Sequence, residues 1–285
     1  MTVGYKHPPY TGPLDEYEGA CSVCGQPGQF TRERLGIAET FHCKSCRAAL
    51  RYQGQARAIL RAFARRGARS IAALVEEPEF ARVAIFEPGS IGPLRRYLRR
   101  VDEYVRSEYD PSAAPGDLRD GVRCEDLMRL SFAKQSFDLV VTSDIFEHVR
   151  HPYRAFEEVY RVLRDGGMHI FTVPGRWPLR ERTLSRVDVS GPEDVLVEEP
   201  VHHGPHLVYN DFGLDLLDRL DAVGFVTDVM LFASTSETTS KQVTFCSVRP
   251  FKRDAPLQTQ SRAEGEPDPA PQRTHRRLAL RWPRR

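Results

Sequence analysis

Residues 138–149 read DLVVTSDIFEHV and run directly into RHPYRAFEEVYRVLRDGG at 150–167. An apolar run, Leu139-Val140-Val141, is followed at once by Thr142, Ser143, Asp144, Glu147 and His148. A short β-branched run bounded by polar residues is the pattern of a strand buried on both faces. The stretch after it carries Ala155, Phe156, Val159 and Leu163 at helical spacing. A glycine pair is expected to close that helix. Two acids and a histidine at the lip of a buried strand pose a choice between a solvated strand end and a reaction site.

The same rhythm extends on both sides. RVAIFEPGSIGPLRRYLRR (82–100) reads as a strand, a Gly/Pro turn and a helix; VDEYVRSEY (101–109) and GVRCEDLMRL (121–130) read as further strands. MHIFTVP (168–174) is the fifth strand, DFGLDLLDRLDAVGF (211–225) an amphipathic helix, and VTDVMLFAS with QVTFCSVRP two late strands. Strands alternating with helices predict an α/β fold with a mainly parallel sheet. Upstream, RYQGQARAILRAFARR (51–66) has helical periodicity, and another helix is expected over 70–76.

These segments divide the 285 residues into an extended leader (1–19), a cysteine-bearing unit (20–50), a helical linker (51–79), the α/β domain (80–251) and a disordered basic tail (252–285). The formal net charge of +2 gives no bulk case for nucleic acid. The final RTHRRLALRWPRR reads plainly as a solvated tail, with an anionic partner as the functional alternative. No stretch approaches the ~20 apolar residues of a membrane helix, and the N-terminal stretch lacks the apolar core of a secretory signal. The expected location is therefore cytoplasmic, where six cysteines argue for something other than disulfides.

Four of the six lie in CSVCGQPGQFTRERLGIAETFHCKSC: Cys21 and Cys24 form one C-x-x-C, Cys43 and Cys46 another. Two such knuckles supply four thiolates to a tetrahedral zinc ion. A closed four-thiolate shell leaves no position for substrate, so this zinc is expected to be structural. His42 is surplus to it, and Cys124 and Cys246, in apolar strand contexts, read as buried core thiols.

Acids recur at the carboxyl ends of the expected strands: Glu87 before Gly89 and Gly92, Glu108, Glu125-Asp126-Leu127, and Asp144 after Ser143. Open α/β sheets bind ligands at that edge. VAIFEPGSIG, VRSEY, RCEDLMRLSFAKQSFDLVVTSDIFEHV and RAFEEVYRVLRDGGMHIFTVP together resemble the class I S-adenosylmethionine-dependent methyltransferases, over residues of about 80–249. The resemblance implies a Rossmann-like sheet of seven mostly parallel strands with the last antiparallel. It implies S-adenosylmethionine as cofactor, with Glu87 and Gly89 facing its methionine portion and Gly92 in the same loop. Glu108 would hold the ribose hydroxyls, Asp126 the adenine amine beside the Leu127 backbone, and Ser143 and Asp144 would lie by the methionine end. One position departs: Ile91 stands where the family usually has its second glycine, so the loop must turn differently.

A hydroxyl acceptor benefits from a base, and histidine suits that role near neutral pH. His148 is one candidate; His202 and His203, with His206 in EEPVHHGPHLVYNDFG, are others. H-H-x-x-H lacks a clear carboxylate partner, so the histidines read as acceptor contacts or loop structure rather than a catalytic metal site. The long polar insertion over 175–200, with Trp177 and several arginines, reads as a lid. The favoured function is methylation of a hydroxyl on a small-molecule or glycan-type acceptor. The alternatives are an RNA methyltransferase gripping RNA with the cysteine-bearing unit, read as a zinc ribbon, and the basic tail, and a non-catalytic binding protein with the same fold.

Overall fold

The computed structural model describes residues 11, 15–89, 92–175, 178–232 and 242–251. Its central sheet is built from β1 (Ile85–Pro88), β2 (Tyr104–Glu108), β3 (Val122–Cys124), β4 (Phe137–Ser143), β5 (Leu163–Thr172), β6 (Val226–Phe232) and β7 (Gln242–Val248). The order across the sheet is β6-β7-β5-β4-β1-β2-β3, and the two-residue strand Leu118–Arg119 adds an eighth at the β3 edge. Neighbours among β1 to β5 pair in parallel, whereas β7 runs antiparallel to both β5 and β6. The late antiparallel pair is what the resemblance implied. The strand order reverses between β1 and β4, and a ligand crevice opens at such a switch point.

Alternation along the buried strands sorts their side chains onto two faces. Ile85, Leu139, Val141, Met168 and Ile170 fall in one apolar cluster; Ala84, Phe86, Val140 and Phe171 fall in the other. The first face is covered by α1 (Leu50–Phe63) and by the cysteine-bearing unit, whose Val23, Phe30, Ile37 and Phe41 belong to the same cluster. The second is covered by α2 (Pro152–Val162) and α3 (Leu216–Val223). Cys124 and Cys246 are buried within the fold.

Two expectations need revision. The helix after β4 does not run to the glycine pair: α2 ends at Val162 and the chain enters β5 at Leu163. Leu163 pairs with Phe137, and the ladder resumes at Leu139 with Met168, so Arg164 to Gly167 form an irregularity. Gly166, at φ +81°, takes a backbone conformation that costs other residues, and its N–H donates to the Arg249 carbonyl (2.7 Å). The glycines thus close a link to the end of β7 rather than a helix. Second, α1 is part of the core. Its Gly54 lies so near the sheet that a Cβ would sit 2.8 Å from Thr244 Oγ1 and 3.0 Å from Phe232.

The cysteine-bearing unit begins with the antiparallel hairpin Glu16–Ala20 and Pro27–Thr31, so part of the expected leader is a strand. The backbone N–H groups of Ile71 and Ala72 donate to the carbonyls of Ser22 and Val23, tying the first knuckle to the helix that Ser70 caps. After β5 the insertion folds into short two-stranded pairs, among them His202–His203 with His206–Leu207 and Leu184–Ser185 with Asn210–Asp211. Trp177, Ser90, Ile91 and the tail over 252–285 lie outside the described residues.

Candidate functional site

At the end of β1, Glu87 is buried and its Oε2 accepts a hydrogen bond from the Tyr104 hydroxyl (2.6 Å). Burial raises its carboxyl above the usual carboxylate range, with the Tyr104 bond opposing. Gly89 follows at φ +102°, a conformation that favours glycine. Gly92 faces the Tyr52 ring of α1: a Cβ there would lie 3.3 Å from it. Glu108 ends β2 with its side chain 45% exposed and Arg106 at 3.7 Å. After β3 the two acids divide their tasks. Glu125 is buried and accepts from Arg123 Nε (2.6 Å) and the Ser131 N–H (2.9 Å), which makes it structural. Asp126 is half-buried; one of its oxygens accepts the Met128 N–H (2.8 Å) across a turn that buries Leu127.

At the end of β4 the chain departs from regular backbone. Asp144 sits at φ +49°, a left-handed conformation that Asp tolerates better than most residues. Its Oδ1 accepts from Thr172 Oγ1 (2.6 Å) and its Oδ2 from Arg51 Nη1 (2.5 Å). The same Arg51 Nη1 reaches Glu39 Oε1 (2.9 Å), and Nη2 donates to the Tyr52 hydroxyl (3.0 Å). Gln55 completes the connection: its Nε2 donates to the Thr142 carbonyl (2.8 Å), and its Oε1 accepts from the Ser143 hydroxyl. Arg51, Tyr52 and Gln55 were missed by sequence reasoning. Arg51 and Asp144 stand 93 positions apart, and no local spacing signals their meeting.

Beyond Asp144, a turn of 3-10 helix (Phe146–His148) drives Glu147 inward until its side chain is 1% exposed. Among the described residues neither carboxylate oxygen has a well-formed hydrogen bond; His148 Nε2 and His203 Nδ1 each stand 3.5 Å from Oε1. Burial pushes the Glu147 carboxyl up to about 7 and brings the His148 imidazole down to about 4. His148 is therefore neutral at pH 7, its Nδ1–H directed at the Leu207 carbonyl (2.8 Å). The nearby Glu147 carboxylate raises His203. The His148 ring centroid lies 5.1 Å from that of His203 and 5.6 Å from that of His206. His202 is exposed, one position from His203 and hence on the other face of their hairpin. The structure thus gathers His148 and His203, and it supplies the carboxylate partner that H-H-x-x-H lacked.

In the cysteine-bearing unit, Cys21 and Cys46 Sγ atoms lie 3.7 Å apart and those of Cys24 and Cys43 3.6 Å apart. One ligand atom from each of the four lies within 4.8 Å of the others. Sulfurs held at about 2.3 Å from a central ion in a tetrahedron stand about 3.8 Å apart, so the geometry fits zinc. The hydrogen bond from Cys46 lowers the Cys21 thiol to about 5, whereas burial raises Cys24 to about 11.

Residues 92–171 match the family described as Methyltransferase domain. A candidate methyltransferase of Encephalitozoon cuniculi is 30% identical over 120 residues, covering 41% of this chain; the chain spans 56% of that relative's length. Among solved structures, an S-adenosylmethionine-dependent methyltransferase of Mesorhizobium loti aligns with 21% identity and a TM-score of 0.40, over 60% of this chain and 91% of that one. A candidate S-adenosylmethionine-dependent methyltransferase of Listeria monocytogenes aligns with 11% identity and a TM-score of 0.42, over 69% and 99%. The family match falls on β2 to β5, the strands whose ends carry Glu108, Asp126, Ser143 and Asp144, so this part of the chain is similar to a methyltransferase domain.

Proposed function

We propose that this chain transfers the methyl group of S-adenosylmethionine to a hydroxyl of a small-molecule or glycan-type acceptor. The observation that carries the reading is the convergence of Glu87, Glu108, Asp126 and Asp144 at the carboxyl ends of four neighbouring strands, around the point where strand order reverses. Each acid has a place in a nucleoside with an amino-acid arm. Burial disfavours the charge on the Glu87 carboxylate, with the Tyr104 hydroxyl and the Arg95 guanidinium opposing, so an ammonium brought beside it would favour the charged form further. Gly89 leaves backbone open to that arm. Glu108 has the exposure to accept hydrogen bonds from a ribose diol, and Asp126 with the Leu127 backbone would meet the adenine edge. Ser143 and Asp144, fixed by Gln55 and Arg51, would line the methionine end beside Gly92.

When bound, the cofactor supplies a methyl group on a sulfonium, open to in-line attack. The chain's own part is alignment, exclusion of water and handling of the acceptor proton. His148 and His203 stand at the edge of the site for that last task. His148 is neutral and a weak base, and His203 is the more basic of the two. Cys21, Cys24, Cys43 and Cys46 would hold one structural zinc, in the cytoplasm where thiolates stay reduced.

Calorimetric titration with S-adenosylmethionine tests the cofactor site. Glu108→Ala and Asp126→Ala are each expected to weaken binding by about tenfold or more, since each removes a charged hydrogen-bond partner. Unchanged affinity in both variants, or no binding by the wild type, overturns the assignment. A tritiated methyl-transfer screen against fractionated cell extract then identifies the acceptor class.

A further inference from the structure

Glu147 presents an unusual problem for a folded chain. Its carboxylate is almost fully buried, yet among the described residues neither oxygen has a well-formed hydrogen bond. Buried carboxylates are normally paired, protonated or bound to metal. Two imidazole nitrogens face it, His148 Nε2 and His203 Nδ1, each 3.5 Å from Oε1. Ligand atoms about 2.1 Å from an ion at tetrahedral angles stand about 3.4 Å apart, so both spacings suit a shared cation. One ligand atom from each of the three residues lies within 4.8 Å of the other two.

The surroundings hold these ligands as a metal site requires. His148 directs Nδ1 at the Leu207 carbonyl (2.8 Å), which leaves the lone pair on Nε2. Such an outer hydrogen bond is what orients metal-bound histidine. The Tyr209 N–H donates to the Glu147 backbone carbonyl (2.7 Å), so the strand leaving the His203 hairpin is tied to the Glu147 turn at both Leu207 and Tyr209. Glu147 lies at the buried floor, whereas the His203 side chain is 31% exposed, so the cluster opens toward solvent on one side.

We propose that Glu147, His148 through Nε2 and His203 through Nδ1 bind one divalent transition-metal cation, separate from the four-cysteine site. Two imidazoles and one carboxylate suit Mn2+, Fe2+, Co2+ or Zn2+ better than Ca2+ or Mg2+. Three protein ligands leave coordination positions on the solvent side for oxygen atoms of a second molecule. The cation's use rests on the function proposed above, where it would replace proton removal by the free imidazoles: it would hold and polarise the acceptor hydroxyl beside the cofactor's methyl group. The binding itself does not depend on that reading.

The test uses the full chain with its cysteine site loaded, titrated with Mn2+ at neutral pH and followed by electron paramagnetic resonance. One Mn2+ per chain is expected. Glu147→Gln and His203→Ala are each expected to weaken its affinity by about tenfold or more, while the zinc content of the cysteine site and the circular dichroism spectrum stay unchanged. His203→Ala, at a part-exposed position, keeps the test open if Glu147→Gln fails to fold. Zinc that co-purifies here would read as two ions per chain, falling to one in His203→Ala, and also upholds the site. No second ion in the wild type with either metal, or unchanged Mn2+ affinity in the folded variants, overturns it. S-adenosylmethionine affinity in the same samples reports separately on the function: Mn2+ binding without cofactor binding upholds the site and removes the methyl-transfer reading.

Discussion

Among the described residues two clusters have the ligand spacing that a metal ion needs, and they are built in opposite ways. The cysteine cluster takes both ligands of each pair from one tight turn, Cys21 with Cys24 and Cys43 with Cys46. The Glu147 cluster takes two neighbours from the end of β4 and its third member, His203, from a hairpin in the insertion after β5. The first is written in local spacing, because a C-x-x-C turn brings two thiolates together wherever it folds. The second exists only once the insertion lies over β4. A locally built cluster can stabilise the elements around it; one assembled late depends on the finished fold and is available for function.

Removing the cysteine site is expected to have the largest effect. Cys21 is fully buried in the apolar cluster that continues through α1 into the sheet. Binding free energies of structural zinc are on the order of 10 kcal/mol, comparable with the whole net stability of a domain. Cys21→Ser should therefore lose its zinc and its cooperative thermal transition, as read by metal analysis and a melting curve. A variant melting like the wild type would mean that the unit is an ornament on the fold.

A pH scan sets both clusters against a buried histidine that neither uses. His169 is fully buried beside Thr142 Oγ1 (2.9 Å), and burial lowers its imidazole to about 3. In the unfolded chain it titrates near its ordinary value of about 6.5. Protons therefore favour the unfolded state below that pH. Stability is complete above about 6.5 and falls by about 1.4 kcal/mol per pH unit down to about 3. Denaturant midpoints measured across this range should fall less steeply in His169→Gln than in the wild type, by this amount, while the buried His148 imidazole adds its own share to both. A slope in the variant equal to that of the wild type would assign the acid loss to other groups.

Arg51 joins the two regions, since it reaches from the start of α1 to Asp144 and to Glu39. Arg51→Ala would leave Asp144 without its cation, at a cost of about 3 kcal/mol, with zinc content unchanged. Denaturant unfolding with parallel metal analysis checks this; loss of zinc in this variant would show that the regions are one unit. The smallest effect belongs to His202→Ala. That residue is exposed, so stability should move by less than about 0.5 kcal/mol and Mn2+ affinity should not change. Weaker Mn2+ binding would instead show that the hairpin presents the other face to the cluster.

Legibility followed the same division. The apolar run of β4, the acids at successive strand ends and the two cysteine pairs rest on period-two alternation and short spacing, and the structure builds β1 to β5 where these patterns place them. The end of α2 was misread because glycine in a helical context signals a stop, whereas Gly166 here serves a link to Arg249 at the far end of the chain. Glu125 and Asp126 looked alike in sequence, and burial with Arg123 and Ser131 gave one of them to the fold.

By itself, then, the amino-acid order determined the strands, their polar ends and the four thiolates, because each depends on contacts within a few residues or on a repeat along one element. Only the tertiary structure decided that α1 delivers Arg51 and Gln55 to the end of β4, and that Glu147 is buried against His148 and His203. Apart from Glu147 with its neighbour His148, those pairings join groups far apart in the chain, and their energies come from burial and charge that have no value until the chain has closed around them.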